Sequence, residues 1–157
     1  MSDIERFAPQ NPPQQEIKEA HIRRTEYGRL QVQIDAPLIV RRDDPSPRTI
    51  YPHGVDLRFF NEDGSVGTDL HAGKAVSFDD RNVLQGSDSV VVVDYCNGDT
   101  VYLQDIVWRQ DDDIIFSNHP VRSVGAGRVT YGDGFTSDER MTNLRILHQR
   151  GTIEIDE

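Results

Sequence analysis

Alternation of apolar and polar side chains with a period of two dominates the chain from Glu19 onward. Leu30, Val32 and Ile34 are interleaved with Gln31, Gln33 and Asp35, so an extended segment here sorts its apolar side chains onto one face. The same rhythm recurs at Val101 and Leu103 between Tyr102 and Gln104, at Leu144 and Ile146 around Arg145, and at Ile153 and Ile155 around Glu154. The 3.6-residue period of an amphipathic helix is nearly absent. Between the alternating runs fall Glu26-Tyr27-Gly28, Glu62-Asp63-Gly64, Asp79 to Asn82, Asn97-Gly98-Asp99, Asp111 to Asp113 and Gly132-Asp133-Gly134. Asn-Gly and Asp-Gly supply the positive φ angles of tight turns. Short strands separated by such turns predict an all-β antiparallel fold, as a sandwich, a barrel or an open stack of sheets.

Residues 1–15 lack this rhythm. Pro9, Pro12, Pro13, Gln10, Gln14 and Gln15 leave little apolar content, which reads as a flexible linker ahead of one β domain over residues 16–157. A chain of 157 residues suits a single domain. The longest apolar run, Val90 to Val93, is too short to span a bilayer as a helix, and the first residues show no signal-peptide pattern.

The charge balance narrows the partners. Seventeen basic against 27 acidic residues give a net charge of −10, which argues against nucleic acid and against docking on anionic headgroups through a basic patch. One cysteine, Cys96, rules out an intramolecular disulfide and has no basic neighbour to activate it. His21, His53, His71, His119 and His148 never fall at a zinc-ligand spacing, and the acidic turns lack the calcium-loop pattern. No phosphate-cradling glycine loop and no nucleophile elbow is present. The turn carboxylates are solvated, whereas a glycosidase acid needs a dry pocket. No catalytic residue, cofactor or metal site is expected. Trp108, Phe59, Phe60, Phe78, Phe116 and Phe135 read first as core.

Tyr51-Pro52-His53-Gly54-Val55-Asp56-Leu57-Arg58-Phe59-Phe60 with Asp63-Gly64 resembles the periplasmic lipopolysaccharide-export family LptC, in its divergent, lipoprotein-like branch. The likeness continues through Leu70-His71-Ala72, Lys74-Ala75, Val90 to Val93, Gly98-Asp99-Thr100 and Ile106-Val107-Trp108. Ile114 to Ser117, Val121, Gly132 to Phe135, Ser137-Asp138, Asn143 to Ile146 and Gly151 to Ile153 follow in the family's order. Upstream, Arg24 to Gly28 and Ala36-Pro37 resemble its opening hairpin, so the likeness covers roughly residues 17–155. Family members carry an N-terminal membrane helix or lipidated cysteine, and this sequence has neither.

The resemblance implies a β-jelly-roll of the OstA-like kind, a V-shaped pair of antiparallel sheets, with no enzymatic activity. It implies a periplasmic location, tethered to the inner membrane by an anchor absent from this sequence. The implied partners are lipopolysaccharide or a related glycolipid, an inner-membrane ABC permease complex, and a soluble periplasmic bridge protein of similar fold. An acyl-chain groove would be lined by Leu57, Phe59, Leu70, Val90, Val92, Val101, Leu103, Ile114, Phe116, Val129, Phe135, Leu144 and Ile146. Alternation alone does not decide the parity within Val90 to Val93. Partner-binding edges are expected at the opening hairpin, with Leu30, Val32 and Ile34, and at the closing strands, with Ile153 and Ile155. Gly132 and Gly134 are expected to permit a bend at the far end, where bulk would harm assembly more than folding. An acidic domain would keep an anionic lipid head in solvent. The alternative is a secreted β-sandwich, carbohydrate-binding or structural, with a filled interior and aromatics on an exposed face.

Overall fold

The computed structural model describes residues 15–43, 45–138 and 143–154, and within them every regular element is a strand. The expected linker lies outside the described residues, apart from Gln15. Strands β1 (Gln15–Glu26) and β2 (Arg29–Arg42) form a long hairpin, followed by β3 (Arg48–Tyr51), β4 (Val55–Phe60), β5 (Val66–Ala72) and β6 (Lys74–Phe78). A second long hairpin joins β7 (Val83–Asp94) to β8 (Asp99–Arg109). The chain ends in β9 (Ile114–Ser117), β10 (Val121–Gly125), β11 (Arg128–Gly132), β12 (Gly134–Asp138), β13 (Arg145–Leu147) and β14 (Gly151–Glu154). All pairings are antiparallel, so the all-β antiparallel expectation holds.

The register shows how one hydrogen-bonded sheet becomes two facing layers. Residues 32–35 of β2 pair with β4, but residues 40–42 of the same strand pair with β3. Residues 91–94 of β7 pair with β5, and residues 83–87 with β6. In β8, residues 100–103 pair with β10 and residues 107–109 with β9. Each long strand therefore bends and serves both layers. The first layer runs β1-β2-β4-β5-β7-β8-β10-β11-β14, and the second runs β1-β2-β3-β6-β7-β8-β9-β12-β13.

The bends fall along one common corner. Glu19 turns there with φ 51°, Gly54 with φ 100°, Asp88 and Ser89 with φ 65° and 66°, and His148 with φ 51°. Such φ values put a side chain's Cβ against its own backbone, so few L residues accept them without support. Gly73 sits on the same line, where its N–H donates to the Asp88 carbonyl at 2.8 Å and an added Cβ would run into that oxygen. The turns at residues 27–28, 61–65, 79–82, 95–98, 110–113 and 126–127, all among the described residues, are hairpin tips, each joining strands of one layer.

Gly132-Asp133-Gly134 belongs to the corner and is not a hairpin tip. The Asp133 N–H donates to the Leu147 carbonyl at 2.9 Å. A Cβ on Gly132 would strike Ile146, and one on Gly134 would approach the Ser117 carbonyl oxygen at 3.0 Å. The expected bend is present. The expected separation of assembly from folding is corrected, because both glycines are buried against the closing strand.

Candidate functional site: the interior and its ends

Side chains on the inner faces of both layers form a single buried cluster. From the first layer come Val32, Leu57, Phe59, Leu70, Val90, Val92, Val101, Leu103 and Val121. From the second come Ile39, Tyr51, Ala75, Leu84, Ile106, Trp108, Ile115 and Phe135. Val92 and Phe135 are wholly buried. Cross-strand pairing explains the ranks: Leu57, Leu70, Val92 and Val101 lie on successive strands in one row. Ser77, Leu84, Trp108, Ile115 and Ser137 form the facing row.

Most of the expected groove residues meet here. Leu57, Phe59, Leu70, Val90, Val92, Val101, Leu103 and Phe135 are in the cluster, with Leu144 and Ile146 packed against it. Burial at Val90 and Val92 settles the parity that alternation left open. Three expected residues face the other way. On β9, Ile115 and Ser117 are buried, which turns Ile114 and Phe116 outward, Phe116 lying beneath the Arg109 guanidinium at 6.0 Å. On β11, Val129 shares the outer face with Tyr131, while Thr130 stands opposite Ser123 and, through it, Val101.

The implied trough is closed along its mouth. Phe59 from one layer meets Trp108 from the other edge to face, with ring centroids 6.3 Å apart, and the Arg24 guanidinium covers the indole at 5.5 Å. A small hollow of about 180 Å³ remains at this point, lined by Arg24, Glu26, Gln31, Val32, Phe59, Phe60 and Asp113. That is below the roughly 300–1,000 Å³ of small-molecule pockets. Trp108 is 5% exposed, and its indole Nε1–H is buried without a hydrogen-bond partner.

The ends of the stack differ from expectation in one respect. Leu30, Val32 and Ile34 do not lie on a free edge: β1 pairs along the whole length of β2, and β4 holds its other side at residues 32–35. The free edge is β1. Its isoleucines Ile17 and Ile22 stand opposite Ile39 and Ile34, yet remain 45% and 42% exposed because no further strand covers them. At the far end β14, which contains Ile153, pairs with β11 alone among the described strands, and β13 with β12 alone. Ile155 lies outside the described residues.

Outside the core, the first layer carries a polar ladder. Arg58 grips Asp69 with two hydrogen bonds of 2.8 and 2.9 Å, and the Tyr95 hydroxyl donates to the same carboxylate at 2.7 Å. The Arg58 hydrogen bonds hold the Asp69 carboxyl below the usual range, against the opposing effect of its partial burial. His21 Nδ1 lies 2.6 Å from Asp35 and lowers that carboxyl too, while His71 Nδ1 lies 2.7 Å from Asp56. At the corner, Ser117 Oγ donates to Asp105 at 2.7 Å, and His119 Nδ1 sits 3.0 Å from the same oxygen. A nucleophilic serine would have to donate to the imidazole. Here serine and imidazole share one acceptor, which staples the β9–β10 corner to β8. Among the described residues no three His, Cys, Asp or Glu side chains come together as a metal site, and no helix is long and apolar enough to cross a membrane.

No protein-family model matches this chain, and no curated protein matches it either.

Proposed function

We propose that this domain shelters the acyl chains of a glycolipid, lipopolysaccharide or a related one, between its two layers. In the periplasm it would pass them from an inner-membrane ABC permease complex to a soluble bridge protein of similar fold. The observation that carries the reading is the placement of the crossings. Among the described residues the chain passes between layers at the corner, and the hairpin tips at the mouth each stay within one layer. Side chains alone hold the mouth shut. Among the described residues no backbone hydrogen bond joins the two layers across the mouth, and the walls that face each other there are apolar.

The ends support the second half of the reading. A strand added beside β1 extends both layers and covers Ile17 and Ile22, and β13 with β14 offers the same opportunity at the other end. A stack of such domains would have one continuous interior.

Tethering the mouth tests the proposal. In a Cys96→Ser background, Gln31→Cys and Asp113→Cys place thiols on opposite sides of the mouth hollow, within reach of a short bismaleimide. Energy transfer from Trp108, the only tryptophan, to a conjugated polyene fatty acid reports entry of an acyl chain. Transfer is expected with the open-thiol protein and is lost on tethering. Equal transfer in both states, or none in either, removes the proposal.

A further inference from the structure

The outer face of the first layer holds a second feature, unconnected with the interior. Tyr102 on β8, Arg122 on β10 and Tyr131 on β11 are direct cross-strand neighbours and form one row over three adjacent strands. The tyrosines are 39% and 37% exposed. The Arg122 guanidinium lies 4.5 Å over the Tyr102 ring. Gln104, Pro120 and Arg150 complete a shallow hollow of about 290 Å³ around them. Arg150 is anchored by an ion pair of 2.7 Å to Asp133 and stays more than half exposed.

Charge makes the hollow unusual. The chain carries 27 acidic against 17 basic side chains, yet the described residues lining this hollow include two arginines and no acid, Asp133 pairing with Arg150 from beside it. Flat tyrosine rings with polar tips suit the apolar faces and hydroxyl edges of a pyranose. Arginine forks match a carboxylate or phosphate. The hollow's size matches one or two sugar rings. A stable protein interface needs about 800 Å² on each partner, which this row does not offer. We infer that Tyr102, Arg122 and Tyr131 form a binding site for an anionic sugar, with the sugar ring stacked on Tyr131 and the acid group held by Arg150 and by Arg122, which rests over Tyr102. The inference goes beyond the acyl-chain reading and does not depend on it.

Nuclear magnetic resonance titration of the full chain tests it, with a uronic-acid disaccharide as probe and the neutral disaccharide of the same linkage beside it. The uronate is expected to shift the Tyr102, Arg122 and Tyr131 signals with a Kd on the order of 1 mM, and the neutral sugar to bind about tenfold more weakly. Tyr131→Ala should abolish both responses. Arg122→Gln should bring the uronate down to the level of the neutral sugar, and unchanged circular dichroism would show both variants folded. Three results overturn the inference: no shift with either sugar, identical shifts and affinity with inorganic phosphate alone, or tighter binding of tetraglutamate than of the uronate.

Discussion

Trp108 offers the sharpest test of how the mouth is held. Its side chain is 95% removed from solvent, it touches Phe59 across the gap, and it supports Arg24. Replacing a buried tryptophan with alanine costs about 3–5 kcal/mol through lost burial and the cavity left behind. Against this stands the unpartnered Nε1–H, since a buried donor without an acceptor costs about 1–3 kcal/mol in the folded state. Trp108→Ala removes both and should come out near the lower bound, about 3 kcal/mol. Trp108→Phe removes the orphaned donor but keeps an aromatic face toward Phe59. The smaller ring leaves a void whose cost roughly cancels the relief, so this variant should stay within about 1 kcal/mol of the parent.

For a domain of this size each kcal/mol moves the melting temperature by about 2–4 °C, so Trp108→Ala should melt about 6–12 °C lower. Urea unfolding followed by far-ultraviolet circular dichroism measures both variants without relying on tryptophan fluorescence. Equal destabilisation of the two would mean that the indole N–H is satisfied. A loss below about 1 kcal/mol for Trp108→Ala would mean that the Phe59 contact does not close the core. Either result refutes the reasoning.

Gly132→Val drives a side chain into Ile146 and the Leu147 carbonyl, and should cost about 1–3 kcal/mol in urea unfolding of the isolated chain. The Asp35 and Asp69 carboxyls are held below their unfolded values, chiefly by hydrogen bonds from His21 and Arg58. Their contribution is complete above the unfolded carboxylate pKa of about 4 and fades as pH falls through the lowered folded values. Because both sites are partly exposed, each is worth about 1 kcal/mol or less. Asp69→Asn should therefore lose less stability than the parent between pH 7 and pH 3, as measured by thermal melting. An identical acid limb would dismiss that account. Tyr51 is pushed upward by burial, so stability should also fall as pH rises past about 10.

Strands were legible wherever a polar residue separated apolar neighbours, as at Val101-Tyr102-Leu103. Parity failed where that punctuation was missing. Ile114-Ile115-Phe116 offers three apolar side chains in succession, and the choice falls to Ser117, drawn inward by its hydrogen bond to Asp105 at the corner. On β11, Thr130 takes the inner position beside Ser123, so apolar character misled again. Strand β1 escaped notice as the true edge because Glu16, Lys18, Glu19, His21, Arg23 and Arg24 mask its two isoleucines, a charge pattern suited to an exposed strand. The corner had no shared signature. Glycine at position 73, an Asp-Ser pair at 88–89 and histidine at 148 solve the same bend by different means. The outer row of Tyr102, Arg122 and Tyr131 depends on register between three strands, which no linear pattern reveals.

A closed mouth is what water demands of an apolar groove at rest. Parted walls would expose side chains such as Leu57, Val92 and Phe135, each worth about 1.5–3 kcal/mol in burial, so an empty open trough would collapse. In the proposed role an acyl chain would change that balance, because each methylene that replaces water against the walls returns about 0.8 kcal/mol. Roughly ten methylenes give about 8 kcal/mol, which offsets the exposure of about three to five side chains and not of the whole cluster, so the walls would part locally. Exchange between a closed empty state and an open filled one can therefore sit near equilibrium. Near equality is what a relay needs, since a groove that stayed open would hold its guest too tightly to release it to the next. Direction must then come from coupling to an energy source such as the proposed permease. Shortening the probe's acyl chain should shift the balance toward the closed form steeply, by about a factor of four per methylene in apparent affinity. A flat dependence on chain length would place the hydrocarbon somewhere other than between these walls.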